Sequence, residues 1–186
     1  MNLYLRLIAL FIKLIWRSKL DVLEQSVARF HVLPNDLDTN MHMNNGRYLT
    51  IMDLGRLDLM ARTGLMRKAL KNNLAPVLGS AKIRFRLPLF LFQAYDLHTK
   101  VICWDEKYFY IEQRFVIAKG KKAGAVAAIA FLKAGLYNTK KKIVATPLEI
   151  LTLVGKEDMQ SPQVPAHVKA WIDAEEKVKD LTKKAA

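Results

Sequence analysis

Cysteine is nearly absent from this chain, since Cys103 is the one cysteine among 186 residues. A single thiol excludes an internal disulfide, which is what a reducing compartment permits. Cys103 lies in a stretch of alternating residues typical of a strand, so we expect a packed thiol and not a nucleophile. The four histidines lie far apart in the sequence, and we predict neither a metal site nor a cofactor.

Acidic residues are scarce relative to basic ones, because 17 Asp and Glu stand against 30 Lys and Arg, for a formal charge of +13. Such a charge favours binding to polyanions, anionic membrane surfaces or phosphorylated ligands, and by itself it does not distinguish among these partners. The sequence shows no zinc-finger spacing, no aromatic strand signature of an RNA-recognition module and no long basic run. We therefore predict no nucleic-acid partner.

No apolar run has the full length of a membrane span. Residues 3–16 are almost wholly apolar, yet a helix over residues 1–17 would be only ~25 Å long against a hydrocarbon core of about 30 Å. The segment also lacks the small-residue cleavage site of a signal peptide. On a helix its polar residues fall along one narrow stripe, formed by Asn2, Arg6, Lys13 and Arg17.

This pattern predicts a membrane-associating helix in residues 1–20 that lies in the interface, with its polar stripe toward the headgroups. The alternative is a helix that buries its apolar face on the domain or on a partner subunit. If the segment inserts into the bilayer, Arg17 and Lys19 would keep the following domain on the cytoplasmic side. The expectation is therefore a cytoplasmic, membrane-associated protein.

Hydrophobic periodicity predicts an α+β domain with the order β, α and then four β. Residues 26–33 alternate like a half-buried strand, and residues 47–63 have the broad apolar face of a helix that Gly64 ends. Gly55 within this helix predicts close packing against a sheet. Four more strand-like stretches follow, at 77–87, 94–104, 107–118 and 123–137.

The densest polar chemistry lies in the loop before the predicted helix. Residues 36–45 hold two carboxylates, three asparagines and a histidine, in the order Asp-Leu-Asp-Thr-Asn-Met-His-Met-Asn-Asn. These groups supply a base or nucleophile, hydrogen-bond donors and a proton carrier at neutral pH. A purely local explanation is an Asx-rich turn with helix caps.

The spacing Asp38-x-Asn40-x-His42-x-Asn-Asn45-x-x-Tyr48 resembles the active-site segment of hotdog-fold acyl thioesterases. The pair Asp36-x-Asp38 is similar to the 4-hydroxybenzoyl-CoA thioesterase-like group. The resemblance implies a hotdog fold, in which a mostly antiparallel five-stranded sheet wraps one long helix and two subunits usually pair their sheets. The apolar N-terminus is similar to that of membrane-associated members of the thioesterase superfamily.

This resemblance divides the chain into three parts. The membrane-associating helix of residues 1–20 precedes a hotdog thioesterase domain over residues 21–146. A C-terminal extension over residues 147–186 follows, with an amphipathic helix at about 166–183. A homodimer or a tetramer is the implied assembly.

Asp38 is, by resemblance, the first catalytic candidate, which either activates water or attacks the thioester carbonyl directly. Asn40 would hold the substrate or the water, and His42 would orient the site or shuttle a proton. The substrate-binding candidates at the helix start are Asn44, Asn45, Gly46 and Tyr48, whose region offers backbone amides to the thioester oxygen. Asn45 is an equally good candidate for the helix cap.

Two positions depart from the pattern of related proteins. Met41 stands where many relatives of the 4-hydroxybenzoyl-CoA group have Gly, and Asp53 stands where the helix often carries Glu. Asp53 is a candidate second acid, but the favoured interpretation is an exposed helix carboxylate paired with Arg56 or Arg47. Glu112 is interpreted as a charge on a strand surface.

The expected function is hydrolysis of an acyl thioester in lipid metabolism, with fatty acyl-CoA as substrate. Lys82, Arg84 and Arg86 share one strand face and could bind the phosphates of CoA, whereas acyl-ACP would meet a broader basic surface. Residues 87–92 could line an acyl tunnel, or they could form a buried connection. The alternative is a non-catalytic hotdog scaffold that binds acyl groups or protein partners at a membrane, because a fold does not define a function.

Overall fold

One antiparallel sheet curls around a long helix. The computed structural model describes residues 2–184, and side chains from residue 3 to residue 181. The strands are β1 (Ser26–His31), β2 (Leu74–Phe85), β3 (Ala94–Trp104), β4 (Phe109–Ile117), β5 (Val126–Asn138) and β6 (Ile143–Ala145). The helices are α1 (Asn2–Leu14), α2 (Asn45–Arg62), α3 (Leu65–Lys71), α4 (Pro147–Leu153) and α5 (Ala166–Lys184), with a 3-10 turn at Pro34–Asp36.

The sheet has the order β1-β3-β4-β5-β2, and β6 pairs with the end of β5. All of these pairings are antiparallel. The predicted α+β class, the long helix and the five long strands are confirmed, while the sixth strand is an addition. β6 and α3 are too short to show a clear hydrophobic period, so the sequence gives little sign of either.

Close packing between α2 and the sheet depends on Gly55. A Cβ atom at this position would lie 2.6 Å from Oγ1 of Thr99 and 2.7 Å from Nε2 of Gln113. The wholly buried Gln113 side chain donates to the carbonyl of Met52 at 3.0 Å and to Oγ1 of Thr99 at 2.8 Å. Gly55 therefore allows a buried polar contact between the helix and the two central strands, as predicted from its place in the helix.

Aromatic rings fill the space below the first turns of α2. The Tyr48 ring centroid lies 4.7 Å from that of Phe115 and 5.0 Å from that of Phe85, and Phe115 lies 5.4 Å from Tyr95. Burial raises the pKa of the Tyr48 hydroxyl to about 12. These contacts anchor the start of α2, and with it the end of the polar loop.

The N-terminal segment is docked on the domain by Arg6 of α1, by Arg17 just after the helix, and by Leu10, which lies in the main core. Lys13 remains exposed, so the predicted polar stripe is corrected in part. Arg6 is buried and pairs with Asp36, and Arg17 pairs with Asp58 at 2.5 Å. Both carboxylates are wholly buried. The other side of α1 is exposed and apolar; its large side chains are Tyr4, Leu5, Ile8, Phe11 and Ile12, followed just beyond the helix by Ile15 and Trp16.

The difference between the predicted and the observed orientation of Arg6 and Arg17 has a simple cause. Helical periodicity shows which residues share a face, but it does not show whether that face meets water or a buried carboxylate. Within residues 2–184, no helix is both long enough and apolar enough to cross a bilayer.

The C-terminal residues pack on the domain at two places. Ile150 and Leu151 of α4 belong to the main core, whereas Val168 and Trp171 of α5 pack with Cys103 and Tyr110 in a second apolar cluster. Burial raises the pKa of the Cys103 thiol to about 11. The expectation of a packed thiol is confirmed.

Replacing Gly55 by Ala is expected to lower the free energy of unfolding by ~1–3 kcal/mol, because the added methyl group collides with buried side chains of β3 and β4. Chemical denaturation of both proteins measures the difference. Gly79→Ala is the control, since a Cβ there would meet its first neighbour only at 3.5 Å. Equal stabilities of the two variants would contradict the close packing at Gly55.

Candidate active site

The polar loop of residues 37–44 is held at both of its ends and against the segment that follows β2. Leu37 forms an isolated bridge with Met43, and His42 forms one with Phe90. The amide of Met43 donates to the carbonyl of Leu89 at 2.8 Å, and the amide of Asp38 donates to the carbonyl of His42 at 2.9 Å. The loop is therefore a tight hairpin-like turn that presents its polar side chains at one end of α2.

Asp38 and His42 face each other across this turn. Nδ1 of His42 lies 3.3 Å from Oδ2 of Asp38. The Asp38 side chain is 19% exposed and that of His42 is 33% exposed, so both are partly shielded and still open to a ligand. The other carboxylate oxygen, Oδ1, accepts the amide of Asn40 at 2.9 Å. The carboxylate is thus oriented on both oxygens.

Asn40 and Met41 form the exposed tip of the turn. Met41 has a φ of 61°, in the left-handed region that favours glycine. This conformation gives a physical reason for the glycine that the related pattern carries at this position. The amide of Met41 donates to the carbonyl of Asp38 at 3.1 Å, which closes the turn in spite of the unfavourable residue.

The start of α2 leaves one amide for a ligand. Asn44, and not Asn45, caps the helix, because its side chain accepts the amide of Gly46 at 2.8 Å. The amide of Asn44 donates to the carbonyl of Asp36 at 2.8 Å. Among the amides of Asn44, Asn45 and Gly46, that of Asn45 has no acceptor among the described residues. It lies at the positive end of an 18-residue helix.

Below the loop lies a buried carboxylate whose partners the sequence did not reveal. Asp36 accepts hydrogen bonds from Nη1 of Arg6 at 3.2 Å, from Nε of Arg47 at 3.1 Å and from the amide of Leu33 at 2.9 Å. The motif pattern drew attention to Asp36, but Arg6 is 30 positions away in the chain. A carboxylate that is buried in this way requires a cationic partner, which here comes from a distant part of the chain.

The predicted cations of β2 lie on its exposed surface. Lys82, Arg84 and Arg86 are all exposed, and Arg86 leads into the segment whose Leu89 carbonyl bonds the loop. Phe90, Leu91 and Phe92 are also exposed, so they border the loop and do not enclose a tunnel. Leu89, in contrast, is wholly buried in the main core and Leu87 packs against that core, as the alternative of a buried connection predicts.

An apolar cavity of about 440 Å³ lies instead between α2, the sheet and α4. Its lining includes Leu57, Met60, Val77, Ile111, Leu136 and Ile150, with Asp53 and Arg56 as its charged members. Asp53 pairs with Arg56 and is 55% exposed, in agreement with the ion-pair interpretation. None of the described lining residues belongs to the polar loop. The described residues contain no group of three or more His, Cys, Asp or Glu side chains that could hold a metal ion.

Comparison with known proteins points to one family. The model of the thioesterase-like superfamily matches residues 32–172. Protein THEM6 of Xenopus laevis is 34% identical over 152 residues, which span 82% of this chain and 69% of that protein. Thioesterase lcsJ of Purpureocillium lilacinum is 27% identical over 144 residues, 67% of this chain and 46% of that protein.

Among solved structures, YbaW from Escherichia coli superposes with a TM-score of 0.62 at 20% sequence identity. The superposition covers 70% of this chain and 97% of that one. At this level of identity the likeness concerns the fold, and it confirms the hotdog architecture.

Met41→Gly is expected to keep or raise the free energy of unfolding, by up to ~1 kcal/mol, because glycine adopts a positive φ without steric cost. The matched control is Met43→Gly, which removes a wholly buried side chain two residues away and should cost ~3 kcal/mol or more. Thermal and chemical denaturation compare both with the wild type. A loss at position 41 as large as that at position 43 would show that the left-handed conformation is not the relevant constraint.

Proposed function

Because this chain belongs to the thioesterase-like superfamily, we propose that it hydrolyses fatty acyl-CoA at the loop that carries Asp38 and His42. The family supports thioester hydrolysis as the reaction class. The observation that carries the assignment to this loop is the oriented and partly exposed carboxylate of Asp38, which lies 3.3 Å from Nδ1 of His42.

Asp38 acts by one of two routes. As a general base it takes a proton from a water molecule whose oxygen bonds to the thioester carbon. As a nucleophile it forms an acyl anhydride that water then hydrolyses. In either route the carbon–sulfur bond breaks and the thiolate of CoA leaves and is protonated. His42 is placed to orient the carboxylate and to move this proton, while Asn40 at the exposed tip would contact the substrate or the water.

The thioester oxygen would bind at the start of α2. The N–H of Asn45 supplies the donor, and the helix dipole adds positive potential where the oxyanion develops. Removal of one such donor typically costs ~3 kcal/mol of transition-state stabilisation. The aromatic packing of Tyr48 supports this role from below, since it fixes the first turn of the helix.

Fatty acyl-CoA is favoured as substrate by charge and by apolar volume. The exposed cations Arg84 and Arg86 lie at the end of β2 that leads toward the loop, where they suit the phosphates of CoA. The cavity of about 440 Å³ has a mostly apolar lining and suits an alkyl chain. Acyl-ACP is the competing substrate, and an assay of hydrolysis with acyl-CoA and with acyl-ACP distinguishes the two.

A homodimer is proposed through the free edge of β2. Among the strands that the structure describes, only β5 pairs with β2, so its 12 residues have one edge without a partner strand. Leu78 and Phe85 on this strand are exposed apolar side chains. A long edge strand of this kind favours pairing with another strand, here that of a second copy.

A membrane surface is proposed as the partner of α1. Arg6 of the helix and Arg17 just after it are engaged with the domain, and the exposed side is apolar, with Ile8 and Ile12 in the helix and Ile15 just beyond it. Lys13 and Lys19 are exposed nearby, and the chain carries a formal charge of +13. An apolar helix face with adjacent cations suits an anionic bilayer. The helix would then lie on the membrane with the domain attached to its other side.

Asp38→Asn is expected to lower kcat for acyl-CoA at least ~10²-fold while folding is retained, because the amide keeps the shape and the Asn40 contact but loses the charge and basicity. Release of free thiol from acyl-CoAs of several lengths measures the effect. Asp53→Asn tests the helix acid and should lower kcat less than ~10-fold, because Asp53 is 55% exposed and lies outside the loop that carries Asp38 and His42. Near-normal turnover by Asp38→Asn would remove this residue from the mechanism and favour the scaffold.

The triple change of Ile8, Ile12 and Ile15 to Ser is expected to weaken binding to anionic phospholipid vesicles by ~10-fold or more, because it removes three exposed apolar side chains from one face. Vesicle sedimentation measures the bound fraction. A matched control replaces Leu70, Leu148 and Val178, exposed apolar residues of α3, α4 and α5, by Ser. If vesicle binding persists and the oligomeric mass changes instead, α1 is a subunit contact.

A further inference from the structure

The carboxylate of Asp36 holds both ends of the polar loop. At the beginning of the loop, Oδ2 accepts the amide of Leu33 at 2.9 Å and closes the 3-10 turn. At its end, Oδ1 accepts Nε of Arg47 in the first turn of α2 at 3.1 Å. The backbone carbonyl of Asp36 also accepts the amide of Asn44 at 2.8 Å. The positions of Asp38 and His42 between these ends thus depend on Asp36.

Asp36 in turn depends on α1. Arg6 contacts both carboxylate oxygens, through Nη1 at 3.2 Å and through Nη2, and Nη2 also donates to the carbonyl of His31 at 2.7 Å. Asp36 is wholly buried and Arg6 is only 8% exposed. A carboxylate without solvent needs charged and hydrogen-bonding partners to remain in place. One guanidinium therefore links the N-terminal helix, the end of β1 and the loop.

We propose that Arg6 is a positioning residue of the active site, through which α1 holds the loop in its catalytic geometry. The expected effect of Arg6 on kcat rests on the proposed function, whereas its effect on the conformational order of the loop is a property of the fold. Arg6 acts on Asp38 and His42 only through Asp36. Docking of α1 on the domain is consequently a condition for activity and not merely a means of attachment.

Arg17 provides a matched control, because it tethers the same N-terminal segment by the same chemistry at a different place. Its Nη1 lies 2.5 Å from Oδ1 of Asp58, another wholly buried carboxylate. Arg17 also donates to the carbonyl of Val27. Asp58 lies about 20 Å along the axis of α2 from Asn45. Loss of Arg17 should loosen α1 without disturbing the loop.

The experiment compares Arg6→Met, Arg6→Lys and Arg17→Met in the full-length chain, assayed with lauroyl-CoA at a temperature at which circular dichroism shows all to be folded. For Arg6→Met we expect kcat to fall by ~10- to 100-fold with KM changed much less, since small misplacements of catalytic groups have effects of this size. Arg6→Lys should recover part of kcat, because it keeps one cation for Asp36. Arg17→Met should retain kcat within ~3-fold even if its melting temperature falls as far as that of Arg6→Met.

Hydrogen–deuterium exchange of residues 37–46 gives a second measurement that does not require catalysis. Arg6→Met should exchange faster in this segment than the wild type, and Arg17→Met should not. Equal losses of kcat and equal exchange in Arg6→Met and Arg17→Met would overturn the inference and leave Arg6 as a simple tether. A wild type that hydrolyses no acyl thioester would refute the proposed function, whereas the exchange data would still decide whether Arg6 orders the loop.

Discussion

The arrangement around the candidate site depends on the cations and hydrogen-bond donors that compensate the charge of one wholly buried carboxylate, that of Asp36. Arg6 from the N-terminal helix and Arg47 from the central helix both donate to it, as does the 3-10 turn that precedes the loop. Removal of one partner from a buried ion pair leaves charge that water cannot solvate, and this is far more costly than loss of a surface pair. Three separate segments are therefore held in one arrangement beneath the candidate catalytic loop.

The same pairing gives the N-terminal helix two different faces. Arg6 and, just after the helix, Arg17 pair with buried acids of the domain, and Leu10 lies in its core. The other side of the helix is exposed and apolar, with Ile8, Phe11 and Ile12. The face that meets the domain is mixed, because Asp36 and Asp58 have no access to solvent and require the arginines, while leucines of the same face add apolar contacts to the core. A deletion of residues 1–17 would thus remove one cation from each of two buried carboxylates, Asp36 and Asp58, along with any membrane contact.

The long elements and the candidate loop could be predicted from the sequence, and the finer geometry could not. Alternation and helical periodicity located β1, α2 and the four later strands to within a few residues, because each pattern depends on neighbours in the chain. The identity of the cap, Asn44 and not Asn45, could not be predicted, because two adjacent asparagines have the same capping propensity. In the folded chain the amide of Asn44 donates to the carbonyl of Asp36 and its side chain accepts the amide of Gly46, so that Asn44 is the cap.

The sequence by itself determined the order of elements, the α+β class and the segment that carries Asp38, Asn40 and His42, since residue type and spacing are local properties. Only the tertiary structure decided the direction in which α1 presents its charges, the location of the apolar cavity and the partners of Asp36. The physical reason is distance along the chain: Arg6 and Asp36 are 30 positions apart, and the burial that makes their pairing necessary exists only once the sheet has closed around α2.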